Sequence, residues 1–468
     1  MNKFQFNPLK AFLFLCILLI ADLHCFSQNT AYFDSTFTGY FRINSNGWTA
    51  GDATISVPLP DKRVLWLFGD SYIVNVDTST NTLPCLFQVR NCMMVQDSVN
   101  LSHFKTIIDS TQTGVNRSTF KLKLNDTTLL WPGHGYVWKD TVYLFMERYS
   151  NSNMGLYYGE YIAKLHYPDL HLVGIYPVQM NRQYYFGRAV IADTTFQTLY
   201  IYGNLLNWIV WEPVLARCNI NHVQGPWEYY SATGWTPLIL ASQPISTDPV
   251  SPGFSVFPYG NKYFLVTQEN GYLTCGLGRE IYSYESDAPE GPFINKTLLY
   301  TEESKFNNQY LLTYNAQAHP FCTVNNELLI GYNVNDKVDT TSANPCPSEC
   351  VNIWTDRLDA DSYRPKFIRV PMGIITHVPE KNSDLQGPKI FPNPVNAGGT
   401  INIRFQDKGK KIGNIRIFDP EGQDCGKLII QESSSSGFLL KAPVIPGVYL
   451  LSIESKDNFT WVLKLIVI

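Results

Sequence analysis

Two aspartates bracket one short stretch of the chain: Asp52 heads and Asp70 ends GDATISVPLPDKRVLWLFGD, residues 51–70. Carboxyls brought together in a folded protein can divide acid/base work, one holding a proton while the other stays ionised. The residues between them read as an apolar strand, a polar tip and a stronger apolar strand. Four later segments repeat that pattern: GHGYVWKDTVYLFME (133–147), GRAVIADTTFQTLYIYGN (187–204), GFSVFPYGNKYFLVTQ (253–268) and AHPFCTVNNELLIGYN (318–333). Aligned on their starts, the first strands lead with Asp52, His134, Arg188, Phe254 and His319. The second strands end in Asp70, Glu147, Asn204, Gln268 and Asn333. Any one of these is also explained as a solvated strand end or a turn cap, and each histidine as a structural hydrogen-bonder. Varied chemistry on a constant frame points instead to function.

The frame that must position them is a repeated hairpin. The segment starts fall 82, 54, 66 and 65 residues apart, about the length of a four-stranded blade with its loops. The tips are rich in Asp, Asn, Gly and Lys, as tight connections require. Helical periodicity is almost absent between residues 40 and 370. The expected fold is all-β: a five-bladed β-propeller over residues 29–372, in which radial closure protects the strand edges. The innermost strands of such a ring would line a central channel.

Composition agrees with a large β domain plus a smaller one. The 468 residues are 45% hydrophobic and 14% aromatic, with 28 tyrosines, which favours strands and stacking surfaces for rings. Thirty-six basic against 40 acidic residues leave a net charge of −4, without the positive field that gathers phosphates, so nucleic acid is excluded as a partner. No cofactor motif occurs, and neither a CxxC pair nor HExxH marks a metal site, although a structural ion on the channel axis is left open. Residues 1–28 carry Lys3 and Lys10 ahead of an apolar run from Ala11 to Ala21, and read as a secretory signal peptide too short in its apolar part to anchor the chain. No later segment is apolar enough to cross a membrane as a helix. Export permits disulfides. Cys346 and Cys350, in NPCPSEC, are near enough to bridge, whereas Cys85 and Cys92, seven apart on a continuous strand, would face opposite ways.

These hairpins, together with VRNCMMVQD (89–97) and WPGHGYVW (131–138), resemble the five-bladed propeller glycosidase superfamily. The likeness is strongest to its groups named domain of unknown function 5005 and 4185, and covers residues 40–372. Relatives such as glycoside hydrolase family 43 cleave furanosides or xylosides with carboxylates around the channel. The resemblance implies a base aspartate on the first blade, an orienting aspartate on the second and an acid glutamate on the third. Asp52 stands at the first place, but His134 and Arg188 stand at the other two. The proton donor must then come from Glu147, Glu212 or Glu269, while Asp70 is a further catalytic or orienting acid. His134, Arg188, Asn204, Gln268, His319 and Asn333 are candidates for binding a polysaccharide or glycan, either histidine also serving as an acid at mild pH. Trp48, Trp131, Trp138, Trp208 and Trp211 offer platforms for sugar rings, with Trp131 and Trp208 foremost, although tryptophan also packs between blades. The departures from the family pattern keep two other readings in view: an inert glycan-binding propeller and a protein-binding one.

Beyond a polar linker at 373–388 the pattern changes to short alternating strands, expected to form a β-sandwich of about seven strands over 389–468. FPNP (391–394), IRIFDPEGQ (415–423), PGVYLLSI (446–453) and Lys464 near the apolar end resemble the type A C-terminal sorting domain of the type IX secretion system. That likeness implies passage across the outer membrane of a Gram-negative bacterium, with release outside or attachment to the cell surface.

Overall fold

A computed structural model describes residues 30–376 and 389–468. Excepted are 124–126, 152–155, 179–180, 182, 208–209, 270–277, 307–308, 338–349, 351, 353, 405–411, 420–423, 428–429, 435–436 and 456–459. The expected signal peptide, Trp208 and Cys346 therefore lie outside the described residues. The chain divides into two units at Thr376 and His377.

Among the described residues the first unit has five antiparallel sheets of four or more strands and three two-stranded ladders, and the first four of the large sheets are laid down as meanders from the innermost strand outwards. Sheet 1 comprises Ile55–Pro58, Val64–Phe68, Cys92–Gln96 and Phe104–Ile107. Sheet 2 comprises Thr128–Trp138, Thr141–Ser150, Tyr157–His166 and Leu172–Pro177. Sheet 3 runs from Tyr184–Asp193 through Thr198–Asn207, Val210–Asn219 and Glu228–Ser231 to Gly234–Thr236. Sheet 4 comprises Phe254–Tyr259, Lys262–Gln268, Glu280–Ser286 and Ile294–Thr301. Sheet 5 joins Gln309–Val324, Glu327–Lys337 and Lys366–Pro371, with Lys305–Phe306 at one edge and Tyr32–Phe33 at the other. Innermost strands of successive sheets are neighbours, and that of sheet 5 returns against that of sheet 1, so the sheets close radially. Tyr32 and Phe33, from the start of the described chain, pair with Arg369 and Ile368, so both ends of the unit are held in one sheet.

Apolar side chains fill the wedges between sheets. Val57, Leu65 and Leu67 of sheet 1 pack on Val142, Leu144 and Met146 of sheet 2, and equivalent clusters join the later pairs. A helix, Met372–Ile375, starts at the last residue of the expected propeller and runs into the expected linker, burying Met372 and Ile375 in the core of sheets 4 and 5. Among the described residues the second unit has eight strands in two four-stranded sheets, which share a core that includes Ile401, Ile403, Leu440, Leu451, Ile453 and Leu465.

The expected Cys346–Cys350 bridge is corrected, because Cys350 is bonded to Cys85, 265 residues away, with Cα atoms 5.6 Å apart. Cys92, buried in sheet 1, is a free thiol.

Candidate active site

The opening hairpin explains how its two acids meet. Ile55 pairs with Leu67 in sheet 1, and Gly51 pairs with Ser71 in a short ladder beyond it. The register is the same on both sides, so Asp52 lies directly opposite Asp70. The Asp52 amide donates to the Asp70 carbonyl at 3.3 Å, and the Gly69 amide donates to the Asp52 carbonyl at 3.0 Å. Between ladder and sheet the backbone kinks through two left-handed residues, Ala53 (φ 70°) and Thr54 (φ 50°). Such conformations cost roughly 1–3 kcal/mol each and must be held by their surroundings. Here the Asn315 side chain donates to the Ala53 carbonyl at 2.6 Å, and Asn333 donates to the Thr54 hydroxyl at 2.7 Å.

Three other innermost strands break register at the same level, around residues 133–134, 187–188 and 315–316. Gly187 shows why the bulge is needed there. Its φ is +88°, and a Cβ would lie 2.4 Å from that of Phe145. The bulges shift the levels inferred from the aligned segments. The residues opposite Glu147 and Asn333 are Trp131 and Tyr314, not His134 and His319.

A cavity of about 600 Å³ opens at this level. It is lined by four of the five expected catalytic acids, Asp52, Asp70, Glu147 and Glu269, and by Arg188 and Trp131. Arg90, Tyr149, Tyr314 and Tyr363 also face it. Asp52 Oδ2 accepts from the hydroxyls of Tyr314 at 3.1 Å and Tyr363 at 3.4 Å. Asp70 uses both oxygens: Oδ1 accepts from Trp131 Nε1 at 3.1 Å, and Oδ2 lies 3.1 Å from an Arg90 terminal nitrogen. Glu147 Oε2 accepts from Tyr149 at 2.9 Å, and its Oε1 lies 2.8 Å from an Arg188 terminal nitrogen as an ion pair but is buried without a hydrogen bond among the described residues. The Nε atoms of Arg90 and Arg188 are buried without a hydrogen bond among the described residues.

Burial dominates the electrostatics. It lifts Asp52 to about 6 against the donated tyrosine hydrogen bonds. It lifts Asp70 to about 7, helped by the charge of Asp52 and opposed by Arg90. The two acids titrate as a pair. Burial also raises Glu147, while Arg188 and the Tyr149 hydroxyl pull it down.

The remaining candidates lie elsewhere. Asn204, Gln268 and Asn333 are almost fully buried and reach the next sheet, donating respectively to the Pro252 carbonyl (2.8 Å), the Thr313 hydroxyl (2.9 Å) and Thr54. Asp70 with Trp131 and Glu147 with Arg188 are the same bridge made by sheets 1 and 2. The ring of polar strand ends is thus a set of staples between neighbouring sheets, and two of its five members also face the cavity. His319 is fully buried, bonded to Ser56 at 2.5 Å and set against Trp66 and Phe367. Burial holds His134 near 4 and His319 near 3, so both are neutral at mild pH. Neither histidine is among the residues that line the cavity. Glu212 sits opposite Leu205 in sheet 3 and does not line the cavity. Trp48 and Phe254 are core residues. Trp211 lines a smaller neighbouring cleft of about 270 Å³ that shares Glu269 with the main cavity.

Sequence reasoning missed Arg90, Tyr149, Tyr314 and Tyr363. Tyr149 carried a signal, lying two residues beyond Glu147 on a strand and hence on its face. Tyr363 carried none, since it meets Asp52 across 311 residues.

Residues 34–383 match the family described as Domain of unknown function (DUF5005). The chain belongs to this family. Residues 389–468 match the secretion system C-terminal sorting domain, which marks this chain for type IX secretion to the cell surface or beyond. No curated protein is found to match the chain. Among solved structures, a hydrolase from Bacteroides ovatus, described as putative, is 20% identical and covers 74% of this chain and 92% of its own, with a TM-score of 0.58. The two share a fold. An alpha-L-arabinanase of Cellvibrio cellulosa in complex with arabinohexaose is 12% identical over 81% of this chain and 95% of its own (TM-score 0.37). A family 117 glycoside hydrolase of Zobellia galactanivorans is 10% identical over 73% and 90% (TM-score 0.38). Among the described residues no helix is long and apolar enough to cross a membrane.

Proposed function

We propose that this DUF5005 domain is an exported glycoside hydrolase acting on a polysaccharide or glycan outside the cell. What supports the reading is one cavity that holds carboxyls in contrasting environments beside aromatic walls. Glycosidic cleavage needs an ionised carboxylate and a protonated carboxyl at the same pH. Asp52 is the base. Two tyrosines hold its Oδ2, which leaves Oδ1 to take a proton from water, and it is ionised above about 6. Glu147 pairs with Arg188 and orients it, while Asp70, held by Trp131 and Arg90, keeps its proton to about 7 under burial and the charge of Asp52, and so stands neutral beside Asp52 as that acid ionises. The Arg188 guanidinium on the cavity wall would take a sugar oxygen, and Trp131, with Tyr149 4.9 Å away, would stack on a ring. Glu269, exposed on the cavity wall, is the acid that a bound glycan would desolvate, and on that ground it is assigned as the proton donor.

The donor assignment has a specific test. Glu269→Gln should lose activity on natural glycans, yet retain it on aryl glycosides whose leaving group needs no proton. Equal loss on both kinds of substrate would remove Glu269 from that role. The engaged oxygens of Asp70 and Glu147 favour a second reading, an inert glycan-binding propeller. It predicts retention of a glycan with no product on prolonged incubation, and any turnover excludes it.

A further inference from the structure

A second cluster of ligating side chains lies on sheet 2, away from the cavity. The turn HYPDLH (166–171) links its third and fourth strands. His166 pairs with Thr141, six residues along the strand from Glu147, so the turn is about 20 Å from that cavity acid. His166 Nδ1 and His171 Nδ1 each lie 2.8 Å from the same oxygen, Asp169 Oδ1. The two rings stack with centroids 4.9 Å apart and planes 30° apart. Three ligand atoms thus converge, all within 4.8 Å of one another.

We propose that His166, Asp169 and His171 form a binding site for a divalent transition ion of the zinc class. The donor set is two imidazole nitrogens and one carboxylate oxygen, which suits borderline ions over calcium or magnesium. Zinc bonds of about 2.0–2.2 Å place tetrahedral ligand atoms roughly 3.3–3.5 Å apart. The two nitrogen–oxygen separations need to open by less than about 1 Å to admit the ion. Each neutral ring moves its proton from Nδ1 to Nε2 and offers the freed lone pair. Three protein ligands leave the fourth position to water.

The turn is held rigidly enough to present such a site. Leu170 is left-handed (φ 62°), buried in the core between sheets 1 and 2, and its amide donates to the His166 carbonyl at 2.7 Å. The His166 amide donates to the His171 carbonyl at 3.0 Å, and the Tyr167 amide to the Asp140 carbonyl at 2.7 Å. Arg63 from sheet 1 donates to the Pro168 carbonyl at 2.9 Å. Bound metal would clip the two strands on either side of the turn. The sequence offered no recognised ligand spacing here, because H-x-x-D-x-H becomes a convergent set only when the turn folds back through Leu170.

The test is titration of the chelator-stripped full chain with zinc chloride against a chromogenic competitor, with thermal melts in parallel. The expected result is one zinc per chain and a raised melting temperature. His171→Ala and Asp169→Asn should each weaken binding about tenfold or more. His103→Ala, which alters another exposed histidine beside an aspartate, should leave it unchanged. Absence of zinc binding, or an affinity unchanged in the His166→Ala/His171→Ala double variant, overturns the assignment. The substitutions lie on an exposed turn, and an unaltered melting temperature without zinc separates loss of ligands from loss of fold.

Discussion

Replacing Asp52 by asparagine should stabilise the DUF5005 domain at high pH and leave it unchanged in acid. Burial lifts the Asp52 carboxyl from 3.8 to about 6. Between those values the folded protein holds a proton that the unfolded chain has released, so stability falls as pH rises through the window and stays low above it. The shift of about two pH units, at 1.36 kcal/mol per unit, corresponds to about 3 kcal/mol of strain at pH 8. Unfolding entropy of about 2.1 cal/mol/K per residue over a unit of this size converts that to a rise of about 4 °C in Tm. The assay is thermal unfolding of wild type and Asp52→Asn at pH 4 and pH 8. The variant should melt higher at pH 8 by this margin and equally at pH 4. Asp70, raised partly by the charge of Asp52, should also titrate lower in the variant, measurable by NMR of the carboxyl carbons. An equal change in Tm at both pH values, or a lower Tm at pH 8, would refute the claim that this acid is buried against its charge.

Other perturbations separate the remaining parts of the site. Tyr314→Phe removes a hydrogen bond to the ionised form of Asp52, worth roughly 1.5–3 kcal/mol, so the acidic limb of a pH–rate profile should move up by about one unit or more. A limb that stays in place would remove Tyr314 from the tuning of Asp52. Arg188→Ala leaves Glu147 buried without its cation and should cost about 3–5 kcal/mol near pH 8, and less in acid where Glu147 takes a proton. Urea unfolding at the two pH values reads this directly. Cys85→Ser opens a link across 265 residues and should lower stability by about 2–5 kcal/mol under oxidising conditions, with no difference from wild type in reductant.

The sequence carried the repeated hairpin because period-2 alternation and turn chemistry are local. The same local logic put Asp52 and Asp70 at the two ends of one hairpin, whose own register sets them opposite one another in the structure. It failed at the bulges. Extra residues at 133–134, 187–188 and 315–316 moved His134 and His319 off the level of the acids and brought Trp131 and Tyr314 to it. A bulge depends on what the strand meets, as Gly187 meets Phe145, and leaves little trace in one sequence. The polar ring was legible as a pattern but not in its purpose. Asn204, Gln268 and Asn333 join neighbouring sheets, whereas Asp70 and Glu147 do so while facing the cavity. Contacts across most of the chain, such as Tyr363 on Asp52 and Cys350 on Cys85, are products of ring closure and could not be read from spacing.

The central claim is that the cavity around Asp52 cleaves glycosidic bonds. Its most direct test is release of reducing sugar by the purified domain across a panel of plant, algal and host glycans, with Asp52→Asn in parallel. The account predicts turnover of at least one glycan by wild type, and its loss in a variant that melts no lower. Equal rates for wild type and Asp52→Asn would contradict it.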